Sequence, residues 1–133
     1  MITAVDTNVL IDILEPDPTH GKASLDLLRK AMREGSVVAC EVVWAEVATA
    51  YSETINEVLT GLADVGIAFL PMTEAAAVES AECWRIYRKQ SGKSGRIVAD
   101  FLIGGHAITQ CDRLLTRDRG FYRDYFKKLT LLT

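Results

Sequence analysis

Five short apolar runs, residues 2–5, 36–40, 67–70, 113–116 and 129–132, alternate with longer stretches of helical periodicity. A run of four or five apolar, largely β-branched residues is too short for a helix and reads as a strand. Strands separated by helices are joined by crossovers, which return the chain parallel to itself and cover the sheet with helices. The expected fold is therefore α/β: a three-layer α/β/α sandwich on a mainly parallel five-stranded sheet. At 133 residues the chain is about the size of one domain, expected over residues 1–133. With 49% apolar and 25% charged residues it has the composition of a chain with its own core, which excludes extended disorder, collagen-like repeats and coiled-coil rods.

Between the strands the periodicity predicts a brief helix over 9–14, stopped by Glu15-Pro16-Asp17-Pro18. Asp17-Pro18 reads as an N-cap followed by proline at the first helical position. The next helix carries Leu25, Leu28 and Met32 on one face and ends at Gly35. Helices over 41–51 and 52–64 follow, the second with Ile55, Val58, Leu59 and Leu62 at the spacing of one buried face. A long helix begins near Thr73, with Ala77, Ala81 and Trp84 sharing a face. A polar loop over 90–95, a helix over 97–110 and a short aromatic segment over 121–126 complete the chain, with no internal repeat or low-complexity tract.

Chemistry alone argues against several classes. Cys40, Cys83 and Cys111 form no C-x-x-C pair, and His20 and His106 lie far apart, which leaves no structural zinc site. Separated thiols fit a reducing compartment. The first residues lack a basic segment followed by a long apolar run, and no apolar stretch approaches the ~18 residues of a membrane span, so a cytoplasmic protein is expected. The net charge of −3 is unevenly spread: residues 1–66 carry 4 basic and 11 acidic groups (−7), residues 67–133 carry 11 basic and 7 acidic (+4). Such a basic half can receive a polyanion even when the whole chain is acidic.

Four acids demand an explanation. Asp6 follows the first strand and Asp118 lies two residues past the strand at 113–116. If both strands are central and parallel, the two carboxylates project from the same sheet edge, where open α/β sheets form their sites. Glu46 has Val42, Val43, Thr49 and Ala50 as helical neighbours, and Asp100 stands in the apolar run Ile97-Val98-Ala99-Asp100-Phe101-Leu102-Ile103. A carboxylate buried there without a partner costs several kcal/mol if it stays ionised, so it normally has a partner, a raised pKa or a metal. Gathered together, the four could not all stay charged without a cation. An oxygen-only donor set favours a hard ion, Mg²⁺ or Mn²⁺, and the chemistry of such an ion suits phosphodiester hydrolysis.

Other residues fit around them. Thr7, Asn8 and Thr116 can hydrogen-bond to the acids or to a phosphate, and Arg117 and Arg119 flank Asp118 in position to grip one. Arg85, Arg88, Lys89, Lys93 and Arg96 follow one another without an intervening acid and can steer a nucleic-acid backbone. Gly104 and Gly105 inside a helix cost about 1 kcal/mol each, which close approach by another backbone would offset.

Val5-Asp6-Thr7-Asn8-Val9-Leu10-Ile11-Asp12, Glu46 in its apolar helix, Ala99-Asp100-Phe101-Leu102-Ile103-Gly104-Gly105-His106-Ala107 and Leu115-Thr116-Arg117-Asp118-Arg119-Gly120-Phe121 stand in that order. In order, spacing and total length the chain resembles the PIN-domain ribonucleases, specifically VapC-type toxins of bacterial toxin–antitoxin pairs. The resemblance implies a compact α/β/α sandwich whose acids, here Asp6, Glu46, Asp100 and Asp118, bind Mg²⁺ or Mn²⁺ and cut single-stranded RNA. It also implies a homodimer and a cognate antitoxin that inserts a segment into the groove. The family often has alanines where Gly104 and Gly105 stand.

Two alternatives come from other classes. A phosphoacceptor receiver domain needs adjacent acids after the first strand and a lysine after a late one; here Thr7 follows Asp6 and Arg117 replaces the lysine. A non-catalytic PIN-like module binding RNA or protein would be expected to have lost a central acid, and all four are present.

Overall fold

The structure, a computed structural model, describes residues 1–50, 54–91 and 98–133. The elements in chain order are β1 (Ile2–Val5), α1 (Thr7–Leu14), α2 (Gly21–Glu34), β2 (Ser36–Ala39), α3 (Glu41–Ala50), α4 (Ile55–Val65), β3 (Ala68–Phe69), α5 (Glu74–Ser91), α6 (Val98–Gln110), β4 (Arg113–Leu115), α7 (Arg119–Tyr125) and β5 (Leu131–Leu132). The expected helix over 41–51, the start of the one at 52–64, most of the polar loop over 90–95 and the first residue of the helix over 97–110 fall partly outside the described residues.

The five strands form one sheet in the order β3-β2-β1-β4-β5, and every neighbouring pair is parallel. Ala4 is the hinge of the register, opposite Val38 on one side and Leu114 on the other. Successive side chains of a strand point to opposite faces. In β1, Thr3, Ala4 and Val5 are all buried, as are Val37, Val38 and Ala39 in β2 and all of β4, so both faces of the sheet centre are covered. That is the three-layer arrangement expected of a parallel sheet. The edge strand β3 is exposed instead.

Several local expectations change in the folded chain. α1 begins at Thr7, two residues earlier than its apolar pattern, because Asp6 caps it. Asp17 does not cap α2 directly: its Oδ2 accepts from the Thr19 and His20 amides, closing a turn, and α2 begins at Gly21 with His20 as N-cap. The aromatic segment at 121–126 is helical, as α7. The buried face of α5 is Ala76, Ser80, Cys83 and Tyr87, while Ala77 and Ala81 are exposed.

The last shift follows from the α5–α6 contact. A Cβ at Gly105 would collide with the Ser80 hydroxyl and come within 2.6 Å of the Ala76 carbonyl oxygen. Gly105 thus allows the close backbone approach that its cost in a helix called for. At Gly104 the neighbour is a side chain, not backbone: a Cβ would lie 2.5 Å from the Phe126 ring. Phe126 belongs to an aromatic cluster with Phe101, Phe121, Tyr122 and Tyr125 that fixes α7 against α6. Both glycines therefore help set where α6 lies, and with it Asp100.

Candidate active site

From β1 the chain steps outward to β2 and β3, then crosses back to place β4 and β5 on the other side of β1. The order reverses between β1 and β4, and a crevice opens at the carboxyl ends of two parallel strands at such a reversal. Asp6 leaves β1 at this point, its amide donating to the Leu115 carbonyl at 2.9 Å. Thr116 leaves β4 beside it.

The Asp6 carboxylate is 5% exposed, and its two oxygens have different partners. Oδ1 accepts the Thr7 amide at 2.8 Å, capping α1, and Oδ2 accepts the Thr116 hydroxyl at 2.7 Å. The Thr116 oxygen accepts in turn from the Asp118 amide at 3.0 Å. On the other flank the Thr7 hydroxyl donates to Glu46 Oε1, on α3, at 2.7 Å. Asp100, in the first turn of α6, acts on Asp6 through its charge. Four separate segments thus converge on one carboxyl.

The electrostatics follow from that convergence. Burial raises the Asp6 pKa most; hydrogen bonds from Thr116 and Thr7 lower it; the charges of Asp100 and Glu46 raise it again, and it stands at about 6. Among the described residues, no cationic side chain is one of these influences. Buried, hydroxyl-oriented and pressed by two like charges, the carboxyl is arranged to share a cation.

Of the acids singled out in the sequence, Glu46 and Asp100 are brought within electrostatic reach of Asp6. Asp118 joins through its backbone amide and is half-buried. Thr7 and Thr116 direct their hydroxyls at acids. Asn8 is exposed on the first turn of α1, and Arg119 is exposed at the start of α7. Arg85, Arg88 and Lys89 are exposed on α5, with Arg88 over the Trp84 ring at 5.9 Å, whereas Lys93 and Arg96 lie outside the described residues.

Arg117 has a different attachment. It grips Asp12, with Nε 2.7 Å from Oδ2 and Nη2 3.1 Å from Oδ1, and the Ser24 hydroxyl donates to Oδ2 at 2.7 Å. Two of its donors, expected to be available for a phosphate, are therefore committed to a carboxylate. Sequence reasoning passed over Asp12, although it stands in the apolar run Val9-Leu10-Ile11-Asp12-Ile13-Leu14, and the desolvation argument used for Glu46 and Asp100 applies to it equally. Among the described residues, the group of three potential metal donors within 4.8 Å of one another is Asp12, Asp17 and His20. There the guanidinium of Arg117 already supplies the positive charge. Asp6, Glu46 and Asp100 form no such group among the described residues.

A small, all-parallel α/β domain with an acidic crevice at its strand-order reversal is the class that fold and site define. Residues 3–127 match the PIN domain family model, and the chain belongs to that family. No curated protein matches it. Among solved structures it is similar to VapBC2 from Rickettsia felis bound to a DNA fragment from its promoter (TM-score 0.74, 18% identity, 98% of this chain and 97% of that chain covered). It is also similar to VapBC-1 from nontypeable Haemophilus influenzae (TM-score 0.74, 17% identity, 98% and 96% covered). FitAcB from Neisseria gonorrhoeae is a third (TM-score 0.68, 23% identity, 100% and 97% covered).

Proposed function

We propose that this protein is a metal-dependent endoribonuclease that hydrolyses RNA phosphodiester bonds, and that it is the toxin of a toxin–antitoxin pair. The observation that carries the proposal is the Asp6 carboxyl, buried with the like charges of Asp100 and Glu46 acting on it and, among the described residues, no cationic group among its influences. A carboxylate buried for stability alone would have a basic partner, as Asp12 has.

The donor set is all oxygen, which suits Mg²⁺ or Mn²⁺. Asp6, Glu46 and Asp100 would hold the ion, with Asp118 at the margin. When bound, a hard divalent ion supplies the positive charge that activates water for attack on phosphorus and offsets charge on the leaving oxygen. The chain's own contribution is orientation. Thr116 and Thr7 fix the Asp6 oxygens from opposite sides, so their lone pairs are aimed before any ligand arrives. Thr7 does the same for Glu46. Proton uptake by Asp6 near pH 6 would oppose metal binding below that pH.

The similarity to VapBC and FitAcB supports an antitoxin as the protein partner. Homodimer formation and a cytoplasmic location belong to the same proposal; among the described residues no helix is long and apolar enough to cross a membrane. Incubating the protein with a mixed single-stranded RNA panel and Mg²⁺ or Mn²⁺ tests the activity. Cleavage by the wild type that disappears in Asp6→Asn is expected. Tight RNA binding with no cleavage in either metal would mark a non-catalytic module instead.

A further inference from the structure

The acidic crevice has a neighbour of opposite character. A cavity of about 350 Å³ opens between the start of α2 and the segment joining β4 to α7. Arg117, Arg119 and Thr116 line one side; His20, Ser24 and Leu27 line the other, with Ala23 beside them and Thr133 at the edge. Among the described residues no aspartate or glutamate side chain is in this lining, although Asp12 pairs with Arg117 and Asp17 with the His20 ring. Thr116 is common to both sites, since its hydroxyl donates to Asp6 while its residue walls the cavity.

Resting on the nuclease reading above, we propose that this cavity is a nucleotide subsite. It would hold one ribonucleotide of a single strand next to the bond being cut.

The lining has the parts a nucleotide requires. Arg117 commits Nε and Nη2 to Asp12 and keeps its remaining N–H donors, on a side chain that is 37% exposed. A guanidinium clamped on a buried carboxylate is already ordered, so it gives up little freedom in binding a phosphate oxygen. Arg119 adds a second exposed cation. Opposite them, the partly exposed His20 ring offers a plane on which a base can stack, and Leu27 and Ala23 give apolar surface beneath it. The volume lies at the small end of the ~300–1,000 Å³ typical of ligand sites, which suits one nucleotide of a strand. Segments far apart in sequence, the α2 start and the β4–α7 segment, would thereby set which nucleotide flanks the cut.

The test has one arm without metal and one with it. In EDTA, the four ribonucleoside 5′-monophosphates are titrated into isotope-labelled protein and amide shifts are followed, with inorganic phosphate as control. Shifts at Ser24, Leu27, Thr116 and Arg119 are expected, with at least tenfold weaker binding in Arg119→Ala and in Ala23→Phe, which fills the cavity from an exposed helix position. With Mg²⁺, both variants are expected to lose at least tenfold in kcat/KM on RNA, and Ala23→Phe to change the nucleotide found at the cleaved ends. Their melting temperatures report whether they are folded. Nucleotides that move these amides in a protein that cuts no RNA would uphold the subsite and refute the nuclease. RNA cleavage with wild-type rate and end preference in a folded Ala23→Phe would overturn the subsite and leave the nuclease standing. Inorganic phosphate matching the nucleotides in affinity would overturn it as well, since the base would then contribute nothing.

Discussion

Asp6 and Asp12 lie six residues apart, at and within the first helix, and are 5% and 3% exposed. Their surroundings could hardly differ more. Asp12 receives a hydroxyl from Ser24 and the Nε and Nη2 donors of the Arg117 guanidinium, from a segment 105 residues away in sequence. Asp6 receives a hydroxyl and an amide, and among the described residues the charged groups acting on it are Asp100 and Glu46. One buried charge is neutralised from within the chain and ties α1 to the β4–α7 segment. The other has like charges beside it among the described residues, and its pKa is raised to about 6. Burial of an acid alone therefore does not mark a site; burial together with like-charged neighbours does.

The largest expected effect separates the two in activity. Asp6→Asn or Asp100→Asn, each nearly constant in volume, should lower RNA cleavage by about a thousandfold or more under saturating Mg²⁺, whereas Asp12→Asn should cost less than about tenfold. Equal losses for Asp6→Asn and Asp12→Asn would break the distinction. In stability the order reverses. Arg117→Ala strands the Asp12 charge and should cost about 2–4 kcal/mol in urea unfolding, the lower end reflecting the partly exposed arginine. Adding Asp12→Asn to it should recover part of that loss, and additive costs would mean the pair is not coupled.

Asp6 should behave oppositely. Its pKa is raised on folding from 3.8 to about 6, so its favourable contribution is complete below pH 3.8 and disappears as pH rises through about 6. Metal-free protein should therefore lose stability across that window, by about 3 kcal/mol at most. At pH 7.5 without metal, Asp6→Asn should be more stable than wild type in denaturant titration; a less stable variant would mean that the Asp6 charge is compensated after all. A smaller, steric effect sharpens the contrast. Gly105→Ala should destabilise by about 1–3 kcal/mol by forcing α6 away from Ala76, and should weaken cleavage because Asp100 moves with the helix.

The sequence carries the sheet and the acids more clearly than the pairings. Strands such as Ile2–Val5 are apolar on both faces, so their burial is readable without knowing their neighbours. Glu46 stands out because no basic residue shares its helical face, and Asp100 because it stands within an apolar run. Asp12 has the same local signature, and its opposite character rests on Arg117, a contact no local pattern encodes. The buried face of α5 is not the one that Ala77, Ala81 and Trp84 share, for a related reason. Its alanines are spread around the helix, and the close approach at Gly105 selects Ala76 and Ser80 over Ala77 and Ala81. At the start of α2, Asp17 has the composition of a cap but spends its carboxylate on a turn one step earlier.

Paramagnetic broadening by Mn²⁺ distinguishes the two acidic environments most directly. Substoichiometric Mn²⁺ should broaden the amides of Thr7, Glu46, Asp100 and Thr116 in the wild type and leave them sharp in Asp6→Asn. Broadening centred on Asp12, Asp17 and His20, or unchanged by Asp6→Asn, would contradict a metal centre at the reversal of the sheet.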